Sequence, residues 1–103
     1  MKQLTVVVKP FRAEAVLRAA LEVGVTAGVV REAKGYGRQK GYLERYVGSE
    51  YSLAFLPKVE VSLWVEDDLL ETAAERIVRA ARTGRIGDGK IFVVPLAIAP
   101  LEF

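Results

Sequence analysis

The densest chemistry in the chain lies in Thr83-Gly84-Arg85-Ile86-Gly87-Asp88-Gly89-Lys90-Ile91-Phe92-Val93. Glycines, an aspartate and a lysine stand here between a helical pattern and an all-apolar strand. Glycine lets a backbone take positive φ and come close to a ligand. Consecutive free N–H groups in such a bend form a concave anion site, and a lysine adds a point charge. That is the chemistry of a phosphate cradle, although the spacing differs from the Gly-x-x-x-x-Gly-Lys-Ser/Thr loop. The same residues also suit a tight helix-to-strand turn.

Composition narrows the remaining classes. The 103 residues suffice for one small domain with a single core. Hydrophobic residues make up 51% and charged residues 27%, as in an ordinary soluble chain. A formal charge of +2 is too small and too dispersed to indicate nucleic acid. With no cysteine there are no disulfides or thiolate metal sites, and with no histidine the usual general base is missing. The start Met1-Lys2-Gln3-Leu4-Thr5 leads straight into a strand, so no signal peptide or membrane insertion is expected and a cytoplasmic protein is.

The elements that must position the glycine-rich bend follow from periodicity. Residues 4–9 read as a strand, ended by Pro10. Across 11–23, Val16, Leu17, Ala20 and Leu21 recur at helical spacing, with Gly24 at the C-terminal cap. Residues 25–33 read as a second strand. From 34 to 53 the pattern fails, with Gly35, Gly37, Gly41 and Gly48 among Arg38, Lys40, Glu44 and Arg45. So long an irregular stretch in so small a chain is more often functional than not. Pro57 restarts order; Val59, Val61, Leu63 and Val65 then alternate with Glu60, Ser62, Trp64 and Glu66. Asp67 or Asp68 suits the cap of a second helix, whose buried stripe is Leu70, Ala73, Ile77 and Ala81 and whose end is Gly84. Residues 91–98 form a fourth strand, and Pro95 within it favours an edge or a bulge.

The order β-α-β-loop-β-α-β predicts an α+β, ferredoxin-like βαββαβ arrangement with an antiparallel sheet and both helices on one face. The other face would carry Thr5, Val7, Ser62 and Trp64. A partly apolar face without helices needs a cover, and an oligomer is the simplest, since each buried CH₂ contributes about 0.8 kcal/mol.

At this point the chain resembles the PII signal-transduction family over nearly its whole length. Val8-Lys9-Pro10-Phe11 is similar to that family's first strand end, and Gly35-Tyr36-Gly37-Arg38-Gln39-Lys40-Gly41 to the base of its T-loop. Tyr46-Val47-Gly48-Ser49-Glu50-Tyr51 resembles the loop tip, Phe55-Leu56-Pro57-Lys58-Val59 its return, and residues 83–93 the B-loop signature. The resemblance implies one domain over residues 1–103, with the T-loop at about 36–55 between strands two and three and the B-loop at about 82–90. It implies a cytoplasmic homotrimer that binds adenine nucleotide in clefts between subunits. The T-loop would dock on a protein target, a membrane transporter or a metabolic enzyme, in response to energy and carbon/nitrogen status.

Site residues carry over by position. Gly87, Asp88, Gly89 and Lys90 match the phosphate loop. Gly35, Gly37, Arg38 and Gln39 match the T-loop base near the phosphates, and Gln39 matches an oxygen donor toward Mg²⁺ when Mg-ATP and 2-oxoglutarate are bound. Lys58 matches the cation that pairs with 2-oxoglutarate. For Arg38, Gln39 and Lys58 a solvated charged loop is the plain alternative. Tyr51 matches the uridylylated tyrosine, but Val47 replaces a usual basic neighbour, which argues against modification.

The departures matter as much. Val29, Ser62 and Trp64 occupy the adenosine-pocket positions, where the family usually has a hydroxyl residue, a carboxylate and a smaller aliphatic residue. Leu101 and Phe103 stand where two arginines usually meet the terminal phosphates from across the subunit boundary. Each lost charge-assisted contact is worth about 1.5–3 kcal/mol, so ADP or AMP should be favoured over ATP relative to typical members. A carbon-linked sensor answering to bicarbonate with ADP or AMP is the alternative, using Arg38, Gln39 and Lys58 for a small anion. A nucleotide-hydrolysing enzyme would need Lys90 with a metal on Asp88 and Glu50; no ordered carboxylate pair is read, so no enzyme is expected. RNA recognition on this topology needs aromatics on central strands, and the first strand has none.

Overall fold

A computed structural model describes residues 1–36, 55–85 and 89–103. Within them run β1 (Lys2–Val8), α1 (Ala13–Glu22), β2 (Gly28–Gly35), β3 (Leu56–Val65), α2 (Leu70–Ala81) and β4 (Gly89–Pro95). Single 3₁₀ turns, Pro10–Arg12 and Asp67–Leu69, lead into the helices. The strands form one antiparallel sheet in the order β2-β3-β1-β4. This is the ferredoxin-like arrangement expected from the sequence.

Alternation along β1 and β3 divides the sheet into two faces. Leu4, Val6 and Val8 lie opposite Leu63, Val61 and Val59. They join Val16 and Ala20 of α1 and Ala73, Ile77 and Ala81 of α2 in one buried cluster, except for Val59, which packs partly buried against it. The intervening Gln3, Thr5 and Val7 face the other way with Trp64, Ser62 and Glu60, and all six are half-buried. On β4 the same open face carries Phe92 and Val94, 52% and 40% exposed. Among the described residues no helix covers this partly apolar face.

Local chemistry sets the ends of the elements, and it corrects several expected boundaries. The second strand begins at Gly28 rather than at 25, because α1 ends in a full cap. Gly24 has φ +89°, its N–H donates to the Leu21 carbonyl at 3.0 Å, and the Val25 N–H donates to the Ala20 carbonyl at 2.9 Å. Val25 is thereby committed to the helix end and buried against the core. Leu21, expected on the buried stripe, is 59% exposed; Val16, Ala19 and Ala20 provide that stripe. Pro57 lies inside β3 instead of before it. It pairs with Lys34 of β2, while β1 reaches only as far as Val59, so its missing N–H faces no partner strand. The fourth strand ends at Pro95 instead of continuing to 98, and it is an edge strand, as that proline suggested.

The expected aspartate cap does not form: neither Asp67 nor Asp68 caps the 3₁₀ turn or α2 through its side chain. Asp67 Oδ1 instead accepts from Lys2 Nζ at 2.9 Å and lies 3.2 Å from the Met1 ammonium. The hydrogen bond from Lys2, followed by that from the amino terminus, holds its carboxyl below the ordinary 3.8. A lowered carboxyl pKa adds stability that is present above 3.8 and lost as the pH falls through the folded value. Asp67→Asn should therefore lower the melting temperature slightly at neutral pH, with the difference from wild type vanishing on acidification. Ile77→Ala, at a position with no exposed surface, should cost about 2–5 kcal/mol in urea unfolding. Gly24→Ala should cost about 1–2 kcal/mol, since an L side chain is strained at φ +89°.

Candidate functional site

The glycine-rich bend connects the C-terminus of α2 to the start of β4. The helix stops at Ala81, Arg82 turns to extended backbone, and Gly84 takes φ +86°. Gly87 and Asp88 lie outside the described residues; Gly89 and Lys90 open β4 opposite Val8 and Val7. Gly89 has little room for a side chain, since a Cβ would stand 2.9 Å from the Val7 carbonyl oxygen and 3.1 Å from Val8 Cγ1. Beside this bend is a cleft of about 510 Å³ with an apolar wall that includes Val8, Val78 and Ile91. Arg82, Arg85 and Lys90 line it, and none of its described lining residues is acidic. The electrostatics suit an anion.

The other candidates lie across the sheet. Register puts Lys90, Val7, Glu60 and Arg31 in one row across all four strands of the open face. Phe92, Thr5, Ser62 and Val29 form the next row. Val29 and Ser62 are thus direct cross-strand neighbours. Trp64 lies one step further along β3, with its backbone N–H donating to the Ala27 carbonyl at 3.5 Å. A hollow of about 430 Å³ there is lined by Thr26, Ala27 and Trp64, and by Pro100 and Glu102 of the C-terminal tail. Three strand spacings separate β4 from β2, about 14 Å of backbone, so one chain does not bring Lys90 and Val29 together.

Gly35 and Lys58 form a third group at the Gly35–Leu56 end of the β2–β3 ribbon. Lys58 is only 7% exposed, and its stem lies over Gly35. Gly37, Arg38, Gln39 and Tyr51 lie outside the described residues. The sequence reading missed Gly28, whose Cβ would stand 2.6 Å from the Ser62 carbonyl oxygen and 2.7 Å from Leu63 Cδ2. This glycine lets β2 approach β3 where Val29 meets Ser62; a glycine at a strand start carries no periodic signal that could reveal it. Arg82 and the 3.1 Å Arg31–Glu60 ion pair were missed as well. Their chemistry is visible only once the register is known.

The family model for nitrogen regulatory protein P-II matches residues 1–99 of this chain. The chain belongs to the P-II family. It is 50% identical over 97 residues to nitrogen regulatory protein P-II 1 of Escherichia coli strain K12, covering 94% of this chain and 87% of that protein. It is 53% identical over 96 residues to nitrogen regulatory protein P-II of Azospirillum brasilense, covering 93% and 86% respectively. Nitrogen regulatory protein P-II of Klebsiella oxytoca is 50% identical over 97 residues, with 94% and 87% covered. P-II proteins are homotrimeric signalling regulators rather than enzymes, and the family binds adenine nucleotides and 2-oxoglutarate. The matched region ends at residue 99, ahead of Leu101 and Phe103. Among the described residues of this P-II chain, no helix is long and apolar enough to cross a membrane.

The close approach at Gly28 gives a direct test of the register. Gly28→Ala should cost about 1–3 kcal/mol in urea unfolding, because its new methyl meets backbone. A variant as stable as wild type would mean that β2 does not lie against Ser62 in this way.

Proposed function

We propose that this chain is a single-domain P-II subunit, residues 1–103, whose homotrimer binds adenine nucleotide at the seam between neighbouring copies. One observation carries the reading: the phosphate-type cleft at β4 and the Val29, Ser62 and Trp64 group lie toward opposite edges of one sheet. A head-to-tail contact that closes on itself joins one edge of a copy to the other edge of the next. Gly87, Asp88, Gly89 and Lys90 then hold the inner phosphates, with Gly35, Gly37, Arg38 and Gln39 of the loop base beside them. Val29, Ser62 and Trp64 of the neighbour flank the adenosine. Lys58 pairs with a small anionic effector, and Gln39 supplies an oxygen to Mg²⁺ when Mg-ATP is bound. Residues of the stretch 36–55 engage a cytoplasmic protein target, a transporter or a metabolic enzyme, and binding of target and nucleotide are linked reciprocally.

ADP or AMP is favoured over ATP relative to typical members, because Leu101 and Phe103 offer no charge to a terminal phosphate. The same lack supports bicarbonate as an alternative effector to 2-oxoglutarate, since a small anion at Lys58 needs no γ-phosphate.

Isothermal titration with ATP, ADP and AMP decides the first point. ADP or AMP should bind at least as tightly as ATP, and Lys90→Ala should weaken ADP about 10- to 100-fold. No heat with any of the three would end the nucleotide reading. Titrating bicarbonate in the presence of ADP and 2-oxoglutarate in the presence of Mg-ATP selects the effector, as only one should bind.

A further inference from the structure

The Gly35–Leu56 end of the β2–β3 ribbon has a separate feature on each face. Gly35 pairs with Leu56 there, and past Val59 toward Leu56 the strand β3 has β2 as its one partner among the described residues. On the open face the Lys58 stem covers Gly35, whose missing Cβ would lie 3.0 Å from Lys58 Cγ and 3.4 Å from its Cε. Lys58 is the one buried charged side chain among the described residues. One residue further, on the opposite face by alternation, the rings of Tyr36 and Phe55 meet edge to face. Their centroids are 5.9 Å apart and their planes 71° apart.

These rings fill no core. Tyr36 is 68% and Phe55 53% exposed, and neither belongs to the buried cluster. A ribbon end with one neighbouring strand frays readily, and an aromatic cross-strand pair is the kind of contact that keeps such a rung closed. Closure matters to Lys58 in particular. Opening of the Gly35–Leu56 rung would remove the surface on which the stem lies.

We propose that the Tyr36–Phe55 ring pair is a positioning element for Lys58: by holding the terminal rung shut on one face, it fixes the location of the cation on the other. For its functional consequence the proposal rests on the reading of Lys58 as the effector's cationic partner. A small anion then finds a preformed charge and need not order it on binding. The two rings touch neither the anion nor the nucleotide in this account.

Amine-reactive labelling of intact assembled protein, quantified peptide by peptide, tests the structural core without any ligand. Phe55→Ala and Tyr36→Ala should each raise the labelling rate of Lys58 about two- to tenfold, the range expected from an aromatic pair. Phe55→Tyr keeps a ring and should leave the rate at the wild-type value, and labelling of Lys2, distant on β1, should not change in any variant. Both replaced residues are exposed, so the fold should survive, and thermal melts check that it does. Lys58 labelled at the wild-type rate in both alanine variants overturns the proposal, as does a rise at Lys2 equal to that at Lys58. The second arm titrates 2-oxoglutarate with Mg-ATP, and bicarbonate with ADP. Whichever anion binds wild type should bind Phe55→Ala more weakly by the labelling factor, with ADP affinity alone unchanged. Equal anion affinities overturn the proposal. If neither anion binds wild type while Lys58 labelling still rises, the effector reading fails and the positioning role stands.

Discussion

Strand β1 is paired on both sides, to β3 and to β4, and three of its seven residues are sealed beneath the helices. Leu4, Val6 and Val8 have no exposed surface, while Gln3, Thr5 and Val7 between them look away from the helices. The side-chain period of a strand is two, so a slip of one residue would put Gln3, Thr5 and Val7 into the core and expose three aliphatic side chains. Burial of a leucine or valine is worth about 1.5–3 kcal/mol each, so the correct register is strongly preferred over its neighbour. The positions of β3 and β4 follow from that register, and with them every placement on the open face. Lys90 stands at one end of a row and Arg31 at the other only because β1 is fixed between them.

The two hollows near opposite ends of the sheet differ in the charges that line them. Arg82, Arg85 and Lys90 gather at the β4 cleft, whereas Glu66 and Glu102 are the acidic side chains lining the hollow near Trp64. Glu60, midway, is held by Arg31 at 3.1 Å on the β2 side. A contact that sets the two glutamates of the Trp64 hollow near the cationic β4 cleft of a neighbouring copy is electrostatically favoured over one that sets two cationic clefts together. P-II proteins assemble as trimers.

Much of this was legible in the sequence because each element has a strong period. The alternation from Val59 to Val65 and the stripe of Ala73, Ile77 and Ala81 identified β3 and α2 outright. The element ends were harder, since they depend on competing local bonds. Val25 looks like a strand residue, yet its N–H belongs to the end of α1. Asp67 looks like a cap, yet Lys2 and the amino terminus, far away in sequence, claim its carboxylate first. The resemblance singled out Gly89 and Lys90, and the structure places them an entire sheet's width from Val29. Pairing across strands is a long-range property, which is why Gly28, the Arg31–Glu60 pair and the Tyr36–Phe55 contact left no trace in the pattern.

The exposed edge of β4 has a consequence for handling the protein. Ile91, Phe92, Val93 and Val94 form an uncharged, β-prone run whose outer backbone groups have no strand partner among the described residues. Such a run is a template for uncontrolled strand addition between molecules. Lys90 before it and Pro95 after it are the two residue types that discourage this, one by repulsion and one by lacking an N–H. Lys90 is therefore a gatekeeper against aggregation whether or not it meets a phosphate, and Pro95 shares that duty at the other end of the strand.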